Sequence, residues 1–192
     1  MKKKQLTKIK AEKPLDQKRK LQIGVIGSAS QTEYPGKGGA SQAMEKAAED
    51  IGFLLAQRGA VVVTGGKGGI MEAAARGAKR GGGVTVGIIK GNRRRTSNKF
   101  TDVEVLTGME ADGMDELFLV LMSDALIVLG GGAGTLQEIA IAYRNKKPVV
   151  VLGGMGGWGE KLVGKFVDER QLVKLIRAKT PKDAVTKVLS LV

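Results

Sequence analysis

Apolar residues fall along this chain in two kinds of pattern. Short unbroken runs alternate with longer stretches in which apolar positions recur every three or four residues. Leu21 to Ile26, Ala60 to Val63, Val84 to Ile89, Val103 to Leu106, Ala125 to Leu129 and Pro148 to Leu152 are unbroken runs, and each predicts a strand buried on both faces. Ala40, Ala43, Met44, Ala47, Ala48, Ile51, Leu54 and Leu55 have helical spacing and predict a long helix ending at Gly59. Ile70 to Arg80 predicts an alanine-rich helix stopped by three glycines, and residues 135–145 predict another. Met114 to Met122 is apolar almost all round. It predicts a helix covered on more than one side, either between the layers of one domain or in a homodimer seam. Leu172 to Ala178 predicts a last strand. Thr180-Pro181-Lys182-Asp183 then supplies an N-cap, a proline at the first helical position and a first-turn acid for a closing helix to Val192. Alternating strands and helices, with strands that are continuously apolar, predict an α/β fold: a single doubly wound parallel sheet with helices on both faces.

Composition sharpens this in three ways. There is no Cys and no His, which excludes disulfides, thiolate nucleophiles, thiolate or imidazole metal sites and a histidine general base. No carboxylate cluster suggests an all-oxygen metal site, so no metal is expected. No apolar run reaches the ~18 residues of a membrane span, and a cytoplasmic protein without a membrane partner is expected. The net charge is +13, and residues 1–20 carry nine Lys or Arg against Glu12 and Asp16. The chain therefore divides into a basic, flexible tail over 1–20 and one domain over 21–192.

The 29 glycines cluster where predicted strands end. Three such loops lie at carboxyl ends of strands, which share one edge of a parallel sheet and surround the ligand crevice of such folds. The first is Gly27, Ser28 and Ala29, followed by Ser30. The second is Thr64, Gly65, Gly66, Lys67, Gly68 and Gly69. The third is Gly130, Gly131, Gly132, Ala133, Gly134 and Thr135, with Glu138 one turn into the helix that follows. Glycine lets the backbone approach a ligand closely, and helix starts offer unpaired N–H groups and positive dipole character to a phosphate. Glu138 places a carboxylate beside that anion site and is the acid/base candidate. A basic stretch, Lys90, Arg93, Arg94, Arg95 and Lys99, follows the third strand end and is a candidate contact for an acidic ligand. The third loop lacks the last glycine of a dinucleotide fingerprint, and no Gly-Lys-Ser/Thr is present, so neither an NAD site nor a P-loop is read here.

These motifs resemble those of the LONELY GUY (LOG), or lysine decarboxylase-like, Rossmann-fold superfamily. Its signature Pro-Gly-Gly-x-Gly-Thr-x-x-Glu is matched by Gly130 to Glu138, its Gly-Ser-Ser by Gly27-Ser28-Ala29-Ser30, and its Gly-Gly-x-x-Gly-Leu-Met by Gly65 to Met71. Thr107-Gly108-Met109 and Gly156-Gly157-Trp158 resemble the nucleotide-binding and molybdenum-cofactor-carrier-like branch. Active LOG enzymes carry Arg-Lys at the head of the helix before the signature strand. Here that helix begins Gly113-Met114-Asp115-Glu116, and the leading signature proline is Gly130.

The resemblance implies a bound nucleoside monophosphate or molybdopterin-type ligand, no required cofactor, and a homodimer or higher homo-oligomer. Binding of a phosphorylated nucleotide-like molecule is the reading favoured. The alternative is a phosphoribohydrolase that uses Glu138 to cleave nucleoside 5′-monophosphates into free base and ribose 5-phosphate. Nucleic-acid binding through the tail is the lesser alternative. DNA-processing proteins have a related fold, yet aromatic residues make up only 4% of the chain, too few for a stacking platform.

Overall fold

The computed structural model describes residues 19–33 and 38–192. Most of the basic tail and residues 34–37 of the glycine-rich loop after the first strand lie outside the described residues. Strands β1 (Gln22–Gly27), β2 (Val61–Thr64), β3 (Thr85–Ile89), β4 (Val103–Leu106), β5 (Ala125–Leu129), β6 (Val149–Leu152) and β7 (Ile176–Ala178) form one sheet, in the order β4-β3-β2-β1-β5-β6-β7. Every pairing is parallel. Helices α1 (Gln42–Gln57), α2 (Ile70–Arg80), α3 (Met114–Met122), α4 (Ala133–Arg144), α5 (Gly157–Leu162) and α6 (Pro181–Leu189) connect the strands or close the chain.

Strand side chains alternate between two apolar layers, so a run that is apolar throughout is buried on both faces. In β5, Ala125, Ile127 and Leu129 face the layer built with α1, α2 and α6, while Leu126 and Val128 face the layer that holds Leu119 and Val120 of α3 and Ile139 and Ala142 of α4. The chain fills the sheet outward from β1 through β2 and β3 to β4, then crosses back to β5 on the other side of β1. That reversal opens a crevice beyond the carboxyl ends of β1 and β5.

Three elements differ from their sequence patterns. The last strand is only Ile176–Ala178. Upstream, Leu172 N–H donates to the Tyr143 hydroxyl and Leu175 N–H to the Lys165 carbonyl, so these residues pack beneath α4 and α5 instead of pairing with β6. Helix α4 starts at Ala133, inside the glycine motif, and α6 ends at Leu189. Helix α3 buries Asp115, Leu119 and Val120, whereas Leu121 is 49% exposed. Its all-round apolarity is thus not fully covered within one chain.

Candidate functional site

The glycine loops meet backbone to backbone at the switch between β1 and β5. Ser28 joins three of them: its N–H donates to the Leu129 carbonyl, its carbonyl accepts from Ile70 N–H at the start of α2, and its Oγ accepts from Gly131 N–H at 3.1 Å. Two glycines are needed for this contact. A Cβ on Gly69 (φ +68°) would lie 2.5 Å from the Ala29 carbonyl carbon. A Cβ on Gly131 (φ +98°) would lie 2.4 Å from the Thr135 side chain.

A cavity of about 410 Å³ opens where the loops converge, within the range of small-molecule sites. Gly27 and Ala29 form one part of its wall, Gly65, Lys67 and Met71 a second, and Gly132 to Thr135 with Glu138 a third. Asp115, Glu116 and Leu119 of α3 complete it, with Glu33 and Gly38 at the ends of the segment 34–37.

The candidate residues thus fall into two groups. Gly27, Ala29, Gly65, Gly132, Gly134, Thr135 and Glu138 face the cavity. Ser28, Thr64, Gly66, Gly68, Gly69, Gly130 and Gly131 stand behind it as its frame. Within that frame Gly66 N–H donates to Thr64 Oγ1, Gly131 N–H to Ser28 Oγ, and the Gly130 and Gly131 carbonyls accept from Gly159 and Trp158 N–H.

Helix α4 opens onto this cavity with Gly132 at its N-cap and no side-chain cap. Its first-turn N–H groups are therefore left for solvent or a ligand. Lys67 is the one cation lining the cavity among the described residues. Against it stand three acids that the fold brings together from α3 and α4. Glu138 is 8% exposed. Burial, and after it the Glu116 and Asp115 carboxylates, push its carboxyl well above the usual carboxylate range. The Thr135 hydroxyl has a single proton and two candidate acceptors, the Gly27 carbonyl at 3.4 Å and the Glu138 carboxyl. Glu116 is also raised, by burial and then by its hydrogen bond with Asp115, with Lys67 opposing. Its Oε2 is buried and has no hydrogen-bond partner among the described residues. Among those residues no group of three or more acids is arranged to hold a metal ion.

The sequence marked Asp115 and Glu116 only as a departure from a motif. Their entry into the cavity depends on how α3 packs beside α4, where Gln137 Nε2 donates to the Gly113 carbonyl. Lys67, Met71 and Leu119 were likewise not singled out as site residues. Arg93, Arg94 and Arg95 are exposed and do not line the cavity. Their loop is held by Glu104, which accepts from the N–H groups of Arg95, Thr96 and Ser97 and from Ser97 Oγ; these bonds lower its carboxyl to about 2. Asn98 ties the same loop to the Lys67 carbonyl. Among the described residues no helix is long and apolar enough to cross a membrane.

Comparison with known proteins gives the same fold and relatives of two kinds. The family model described as SLOG cluster4 matches residues 20–185. An uncharacterized protein of Archaeoglobus fulgidus is 39% identical over 141 residues, 70% of this chain and 85% of its own. A cytokinin riboside 5′-monophosphate phosphoribohydrolase of Mycobacterium tuberculosis is 30% identical over 161 residues, 76% of this chain and 84% of its own. The solved structure of a molybdenum cofactor binding protein from Rippkaea orientalis superposes with a TM-score of 0.75 at 31% identity, over 90% of this chain and 97% of that one.

Proposed function

The chain belongs to the SLOG cluster4 family of LOG-like Rossmann proteins, and from that premise we propose that it binds a phosphorylated, nucleotide-like small molecule in the cavity at the β1/β5 switch. The observation that carries the proposal is the uncapped start of α4 opening into a cavity of about 410 Å³ whose remaining polar lining is acidic. The phosphate sits at the first turn of α4, where the N–H groups of Ala133, Gly134 and Thr135 point outward and Lys67 supplies the positive charge. The carboxyl groups of Glu138, Glu116 and Asp115 accept hydrogen bonds from the uncharged, donor-bearing part of the ligand. Both kinds of relative fit this reading: one is titled for a nucleoside 5′-monophosphate substrate and the other for a pterin-type cofactor. Isothermal calorimetry with AMP, GMP and a phosphorylated pterin tests it. Saturable binding of one of them is the expected result, and the absence of binding by all three would overturn it.

A second reading, hydrolysis of the N-glycosidic bond, is favoured by one observation: Glu138 is buried in the cavity with its carboxyl raised. A carboxyl that keeps its proton near neutrality can donate it to the departing base as the C1′–N bond breaks. The carboxylate left behind faces the cationic sugar and takes a proton from the water that attacks C1′. Free base and ribose 5-phosphate result. Binding is preferred because the Arg-Lys pair of active LOG enzymes is replaced here by Asp115-Glu116, and Lys67 is the single cation lining the cavity among the described residues. Adenine release from AMP, abolished in Glu138→Gln, would establish turnover instead.

A further inference from the structure

Phosphate binding does not explain why α3 turns two acids toward a cavity that already holds Glu138. Like charges near an anion site are unfavourable unless the ligand carries hydrogen-bond donors to meet them. Two observations locate where those donors must lie. Glu116 Oε2 is buried without a partner among the described residues, so the empty site leaves an acceptor unsatisfied. A Cβ added to Gly134 would lie 3.2 Å from Glu116 Oε1, so this carboxyl stands beside the first turn of α4, next to the proposed phosphate position.

In a nucleoside 5′-monophosphate the group nearest the phosphate is the sugar, and the ring edge of the base lies beyond it. Resting on the ligand-binding reading above, we infer that Glu116, held by Asp115, accepts hydrogen bonds from the cis-diol of a ribose, which makes the site selective for ribonucleoside 5′-monophosphates over their 2′-deoxy counterparts. A vicinal diol presents two O–H donors to the two oxygens of one carboxylate. An acidic residue has the same role toward the ribose 2′-hydroxyl in dinucleotide-binding sheets. The diol also places neutral donors between the acids and the phosphate, where a deoxy sugar would leave Glu116 Oε2 unsatisfied.

Calorimetric titration with AMP, 2′-deoxy-AMP and GMP, on the full chain and on its Glu116→Gln variant, tests the inference. The full chain is expected to bind AMP at least about tenfold more tightly than 2′-deoxy-AMP, the worth of a hydrogen bond to a charged group. Glu116→Gln should close most of that gap mainly by weakening AMP. Equal affinities for AMP and 2′-deoxy-AMP in the unsubstituted chain overturn the inference and leave the ligand-binding reading intact, whatever the stability of the variant. A preference for GMP over AMP that Glu116→Gln erases also overturns it, because the acids would then read the base. Failure of all three nucleotides to bind overturns the inference and the nucleotide form of the reading together.

Discussion

Helices α4 and α6 both begin at the carboxyl edge of the sheet, and they begin in opposite ways. At α6 the Thr180 hydroxyl accepts from Asp183 N–H, Pro181 occupies the first turn, and Asp183 in turn accepts from Lys179 N–H. That start is satisfied from within. At α4 the N-cap is Gly132, no side chain reaches the free N–H groups, and the turn faces a cavity. A helix capped by its own sequence needs nothing further, whereas a glycine start beside a cavity leaves donors for something from outside. The same division separates α1, capped by Ser41, from α2, which starts on Gly69 without a side-chain cap, against the β1 loop. The uncapped starts of α2 and α4 belong to the two loops that flank β1, where the chain reverses direction across the sheet.

Substitutions at the two kinds of start should behave differently. The largest effect is expected from Gly131→Ala. It forces a side chain into a left-handed backbone position and against Thr135. It should lower stability by about 1–3 kcal/mol and AMP affinity by about 100-fold, the value of misplacing several backbone donors at once. Thermal melts and calorimetry read the two losses separately. Lys67→Ala should weaken AMP by about tenfold, and the remaining affinity should depend less on salt, because a charge-assisted contact to the phosphate has gone.

The acids give a prediction in pH. The Glu138 carboxyl is raised above its ordinary value of 4.5, so the folded state holds a proton that the unfolded chain has released. Its contribution to stability is fully present below the unfolded value and is lost as pH rises toward the folded one. Glu138→Gln removes this dependence. The variant should match the parent in acid and exceed it by about 1 kcal/mol or more at neutral pH, where burying a carboxylate among acids is costly. Chemical unfolding across that range checks the sign; a variant less stable than the parent at neutral pH would refute it. The smallest effect is expected at the other helix. Thr180→Ala should cost about 1 kcal/mol of stability and leave AMP affinity unchanged.

Much of the fold was legible in the chain because its signals are local. Continuous apolar runs, helical spacing and glycine stops located the strands and helices to within a few residues. The exception is instructive. Leu172 to Ala178 reads as one strand, but strand pairing needs a free neighbour, and only Ile176–Ala178 reaches β6. The glycine loops were legible as a set, but their division of labour was not. Whether Gly131 N–H faces a ligand or Ser28 is decided by the approach of β1 to β5, which no local spacing encodes. Asp115 and Glu116 were visible only as unexpected residues at a helix head. Their meeting with Glu138 is a consequence of α3 packing on α4, and so is the orphaned Glu116 oxygen.

The central claim is that the free N–H groups at the start of α4 hold the ligand's phosphate. Backbone amide shifts during a titration with AMP test it most directly. The largest saturable changes are expected at Ala133, Gly134 and Thr135, with Lys182 and Asp183 at the self-capped start of α6 unmoved. Saturable binding that shifts the Arg93–Arg95 loop, while the first turn of α4 stays still, would contradict it.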